Sequence, residues 1–223
     1  MCRDHGVQSM RWLLGVAFLL AWGAWPVSAA ELVVQFTDGH GHAVSDAVVT
    51  LTSDQPASVT TPPQPAATRY IDQKHETFIP YVQILRPGDK VIFRNSDTTR
   101  HHVYSFSGIK KFEFVLRPGD SSPALVMDKV GIAAVGCNIH DHMSTYLFVS
   151  GATAVAMSDQ DGNATLDNLV PGHYTMHVWH PQLHPGQAQP TQAVNIANDS
   201  DNPHVALALS LIPDPRMEMD DDD

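Results

Sequence analysis

The residues best suited to chemistry lie in one stretch, GCNIHDHM, which runs from Gly136 to Met143. His140 follows Cys137 with two residues between, and Met143 follows His140 with the same spacing. The only other cysteine is Cys2. A strand is expected to end at Val135, so one short loop presents a thiolate, an imidazole and a thioether. Thiolate and thioether favour copper, and imidazole suits it in either oxidation state. Two histidines, one cysteine and a weak axial methionine make a trigonal electron-transfer site. The second histidine must come from elsewhere, and His101 and His102 are the candidates. His142 reads as a loop side chain; its alternative role is to replace or supplement Met143 in a red or green copper site.

The thiol matters because the chain reads as exported. Arg3 and Arg11 precede an apolar run from Trp12 to Trp25, and Pro26 leads into the small residues Val27 to Ala30. This is the pattern of a signal peptide over residues 1–30, and the run is short for a membrane span. A lone cysteine in an oxidising compartment is buried and inert, paired between chains, or held by a metal. Cleavage would remove Cys2 and leave about 193 residues with 11 Lys+Arg against 23 Asp+Glu, a net charge of −12 with His neutral. Such a balance lacks the basic footprint of a nucleic-acid binder.

Strands must position the loop. Segments 32–36, 47–51, 90–94, 102–106, 111–115, 131–135, 145–149, 174–179 and 205–211 are short and rich in β-branched or aromatic residues. Turn signals such as Pro87-Gly88-Asp89, Pro118-Gly119-Asp120 and Asp161-Gly162-Asn163 punctuate them. No part of the mature chain carries a long apolar repeat of helical period. The expectation is an all-β sandwich protein. Ser53 to Ala67, with four prolines, reads as a linker, and the terminal Met217 to Asp223 as a disordered acidic tail.

Glu31 to Leu51 resembles the start of a carboxypeptidase-regulatory-like (transthyretin-like) β-sandwich, and Ala154 to Trp179 resembles its later strands. Residues 68–150 resemble a cupredoxin. The likeness rests on Arg86-Pro-Gly-Asp-Lys-Val-Ile-Phe-Arg-Asn95, on Asn95 with His101-His-Val103, on Gly119 to Cys137, and on the Cys-x2-His-x2-Met loop of amicyanin-like members. The whole mature chain, with Trp179-His-Pro181, resembles a methylamine-utilisation-type periplasmic cupredoxin. The resemblance implies a Greek-key cupredoxin sandwich at 68–150, inserted in or joined to a second sandwich at 31–67 and 151–213, with a tail at 214–223. Two tandem domains remain the alternative.

The resemblance also implies the site: one type 1 copper held by His101, Cys137, His140 and Met143, with Asn95 bracing the loop. His102 is the runner-up first ligand, since strand alternation lets only one of the pair face the metal. A site filled by protein ligands lacks the open position that catalytic metals need, so a carrier of single electrons is expected rather than an enzyme. The implied setting is the periplasm, with a c-type cytochrome or a periplasmic oxidoreductase as redox partner and no membrane span in the mature form. The competing function is periplasmic copper handling. His40, His42, His173, His177, His180 and His184 could add peripheral sites for it, but they read as scattered surface histidines without a carboxylate or thiol to complete a site.

Overall fold

A computed structural model describes residues 1, 30–54, 65–214 and 216. Most of the expected signal peptide (2–29), much of the proline-rich stretch (55–64) and most of the acidic tail (215 and 217–223) lie outside the described residues. The described chain is all-β: sixteen strands in four sheets.

Strands from both ends of the chain share two sheets. β1 (Ala30–Asp38) lies between β13 (Asn163–Leu169) and β16 (His204–Leu209). β2 (Val48–Ser53) lies between β12 (Ala154–Met157) and β14 (Gly172–Trp179), with β15 (Thr191–Ile196) at the edge. The alternation in β1 shows why these residues make a strand. Ala30, Leu32, Val34 and Phe36 are all fully buried, while Glu31, Val33 and Gln35 point to the other face. The buried set packs with Leu51, Leu166, Tyr174, Met176 and Val178 in one apolar core. The turn before β13 needs its glycine, because Gly162 has φ +80° and a Cβ there would stand 2.4 Å from the Phe36 carbonyl oxygen.

Between β2 and β12 the chain builds the middle body. One sheet has the order β5 (Val82–Leu85), β11 (Ser144–Val149), β10 (Gly131–Cys137), β7 (His101–Ser105), β8 (Phe112–Leu116). The other runs β4 (Thr77–Ile79), β3 (Thr68–Lys74), β6 (Asp89–Asn95), β9 (Leu125–Met127). The chain changes sheet between β4 and β5, β5 and β6, β6 and β7, β8 and β9, and β9 and β10, the crossings of a Greek-key sandwich of cupredoxin type. Ile71, Phe93, Val103, Val135 and Leu147 fill the space between the sheets.

A repeated tetrapeptide, Arg-Pro-Gly-Asp, makes two of the turns, at 86–89 and 117–120. Proline fixes φ at the second position, and Gly88 and Gly119 take φ +95° and +84° at the third. Each aspartate carboxylate then accepts the arginine N–H at 2.9 Å. A third apolar cluster joins the two sandwiches: Trp179 meets Tyr146 and Phe148 with ring centroids 5.5 and 5.4 Å away, beside Val48, Tyr81 and Val82.

Two expectations need correction. The strand expected to stop at Val135 continues through Cys137, because Gly136 and Cys137 pair with Tyr104 and Val103 of β7. The strand expected at 205–211 stops at Leu209, and Leu211 instead bridges to Leu183.

Candidate metal centre

Cys137 ends β10 and His101 opens β7, and the antiparallel pairing of these strands brings the two together across the sheet. Alternation along β7 sends His101, Val103 and Ser105 into the interior and His102 and Tyr104 outward. His101 is fully buried, and its Nδ1 lies 3.7 Å from the Cys137 Sγ. His102 faces away: its Nε2 lies 2.6 Å from Glu113 Oε1, and its Nδ1 accepts from Asn138 Nδ2 at 3.4 Å.

Backbone hydrogen bonds shape the loop after Cys137. Asn138 N–H donates to the His102 carbonyl (2.9 Å), Met143 N–H to that of His140 (3.1 Å), and Cys137 N–H to that of Met143 (3.2 Å). The folded-back loop sets His140 Nδ1 3.8 Å from Sγ, with the two imidazole centroids 5.1 Å apart. Met143 is buried in the same apolar cluster as the free thiol of Cys137. Among the described residues, His101, Cys137 and His140 are the one group whose ligand atoms converge, all within 4.8 Å of one another.

These residues fit a copper ion. Metal bonds of about 2.3 Å to sulfur and about 2.0 Å to nitrogen, the lengths found at zinc, opened to about 120°, set S and N about 3.7 Å apart. The two observed separations are 3.7 and 3.8 Å. A thiol and two imidazoles, with a buried methionine at the end of the same loop, are the soft and borderline donors that copper takes.

Polar groups hold the frame. Asn95, buried at the end of β6, donates from Nδ2 to the carbonyls of Thr99 (2.8 Å) and Leu116 (3.0 Å), and its Oδ1 accepts Asp97 N–H (2.9 Å). Asp97 Oδ2 lies 3.3 Å from His101 Nε2. Burial pushes the His101 imidazole below its ordinary pKa, opposed by the hydrogen-bonding Asp97. The Asp97 carboxyl is itself held down, first by the Glu76 N–H and then by the Thr98 N–H. Glu76 Oε1 stands 3.4 Å from His140 Nε2. Sequence reading had no signal for Asp97 or Glu76, because their roles arise only once β6 and the β3–β4 turn close on the loop.

The remaining histidines stay apart from this centre. His142 Nε2–H donates to the Glu76 carbonyl at 3.2 Å. His173 and His177 lie on the outward face of β14. His42 does have a carboxylate, since its Nδ1 lies 3.0 Å from Asp38 Oδ2 in an exposed turn. The expectation that these are all surface groups fails at His180. It is only 4% exposed, faces the Ser45 carbonyl through Nε2 at 3.0 Å and accepts Gln182 N–H on Nδ1.

No protein-family model and no curated protein matches the chain. Solved structures similar to parts of it include a purple cupredoxin from Nitrosopumilus maritimus, 20% identical over 36% of this chain and 98% of that one, with TM-score 0.34. Amicyanin from Paracoccus versutus is 19% identical over 46% and 97%, at TM-score 0.33. A copper-containing nitrite reductase from Thermus scotoductus is 21% identical over 44% of this chain and 25% of that one, at TM-score 0.34. These likenesses are partial. The fold is assigned from strand order and pairing, and the centre from its donor geometry.

Proposed function

We propose that the protein is a type 1 copper protein that carries single electrons, with His101, Cys137, His140 and Met143 as ligands. The observation that carries this reading is the pair of imidazole Nδ1 atoms 3.7 and 3.8 Å from one buried thiol. A bound copper ion supplies a one-electron couple. The chain's own residues do the rest. Cys137 and His101 are closed off from water, the β7–β10 pairing fixes their separation, and Asn95 braces the loop between β6 and β7. A frame whose donors are fixed by strand pairing and buried hydrogen bonds need not rearrange when the charge changes.

The setting belongs to the same proposal: a periplasmic protein of methylamine-utilisation type, exchanging electrons with a c-type cytochrome or a periplasmic oxidoreductase. The leader-like sequence and the cupredoxin-type sandwich support it. No helix among the described residues is long and apolar enough to cross a membrane. Four protein donors leave no open coordination position, which favours a carrier over an enzyme.

Voltammetry of the copper-loaded protein tests electron carriage. A reversible one-electron wave, with the metal retained through repeated cycles in the presence of a Cu(I) chelator, is expected. Loss of the metal to the chelator on first reduction would instead make this a copper-handling protein.

A further inference from the structure

The hairpin between β3 and β4 has a two-residue turn, His75-Glu76, closed by the pairing of Lys74 with Thr77. Both turn residues have φ +53°. Such turns ordinarily place Asn or Asp first and Gly second, because a Cβ is disfavoured at positive φ. A glutamate in the second position is a backbone outlier, and outliers of this kind point to a use for the side chain that sits there.

Glu76 meets the ligand loop and its frame through three separate groups. Its N–H donates to Asp97 Oδ2 at 2.8 Å, the oxygen that faces His101 Nε2. Its carbonyl accepts His142 Nε2–H at 3.2 Å. Its carboxylate lies 3.4 Å from His140 Nε2. One turn therefore reaches the outer nitrogen of both imidazoles whose inner nitrogens face Cys137: His140 directly, and His101 through Asp97.

Resting on the copper reading above, we infer that Glu76 is a positioning residue that holds His140 in the Nε2–H tautomer, keeps its Nδ1 open to the metal, and biases the centre toward Cu(II). A carboxylate behind a ligating imidazole fixes ring orientation and raises ligand basicity. Its negative charge, next to the ion, stabilises the more highly charged oxidation state. His140 is the least buried of the convergent donors, with its side chain 16% exposed against none for His101. It is thus the ring that most needs a partner to fix it.

Two substitutions in the full chain separate the terms. Glu76→Gly removes the carboxylate, suits the positive φ, and keeps the N–H and carbonyl that serve Asp97 and His142. Glu76→Gln keeps an acceptor for His140 and removes only the charge. In the metal-free protein, nitrogen-detected NMR of His140 should show the Nε2–H tautomer in wild type and Glu76→Gln, and a mixture in Glu76→Gly. Thermal stability of Glu76→Gly should match or exceed wild type. In the copper-loaded protein, both variants should bind Cu(II) about tenfold more weakly. If Cu(I) binding is unchanged, that is a rise in potential of about 59 mV for a one-electron couple.

Unchanged His140 tautomer and unchanged potential in Glu76→Gly would reduce Glu76 to a turn residue and overturn the inference. Failure of the wild type to bind copper would overturn the functional reading instead. The tautomer measurement, made without metal, would still decide whether Glu76 positions His140.

Discussion

At positions 101 and 102 two adjacent histidines meet opposite fates, and the difference is one step of strand alternation. His101→Ala should lose Cu(II) affinity by more than the ~100-fold at the upper end of what supporting residues cost, measured by chelator competition. His102→Ala removes a half-buried ring that meets Glu113 and Asn138 on the face away from the metal, so it should leave the visible spectrum unchanged and stability within ~1 kcal/mol of wild type. Asn95 carries more structure than either. Asn95→Ala orphans two carbonyls and the Asp97 N–H, and denaturant unfolding of the metal-free protein should show a loss on the order of 2 kcal/mol. The Cys-x2-His-x2-Met spacing was legible because its three members fall within one loop and its approach. The contributions of Asp97 and Glu76 were not, because they depend on contacts between distant segments.

At the scale of elements, the legible strands were those with several β-branched or aromatic residues. Seven strands were missed: the short β4, β5, β9 and β12, and the longer β3 (TRYIDQK), β13 (NATLDNL) and β15 (TQAVNI). Each of these three longer strands buries only two or three side chains, and its polar outward positions mask the alternation. Their strand character comes from partners: β3 runs parallel to β6, and β13 antiparallel to β1. Long-range pairing of this kind leaves little local trace. Turn chemistry was more readable, since Pro-Gly-Asp and Asp-Gly-Asn each mark a bend with a defined backbone need. At the tightest of these, Gly162→Ala would drive a methyl into the Phe36 carbonyl. It should cost on the order of 3 kcal/mol in thermal or denaturant unfolding, without altering copper binding.

Across the whole molecule, two sandwiches share an aromatic seam around Trp179, and the copper-type loop occupies only one of them. The other carries a buried histidine with a consequence for pH. Burial pushes His180 down from its ordinary 6.5 to about 4. Between those values the unfolded chain binds a proton that the folded chain does not, so stability is full above about pH 6.5 and falls as pH drops toward about 4. The loss is on the order of 3 kcal/mol. Chemical unfolding of the metal-free protein across this range should show that slope, and His180→Gln should flatten it.

The central claim is that Cys137 is a copper-bound thiolate flanked by His101 and His140. Titrating Cu(II) into the purified metal-free protein, and into Cys137→Ser, tests it most directly. The account predicts one equivalent bound with an intense visible thiolate-to-copper band, and no such band in Cys137→Ser. A colourless Cu(II) complex in the wild type, or a spectrum indifferent to the loss of the thiol, would contradict it.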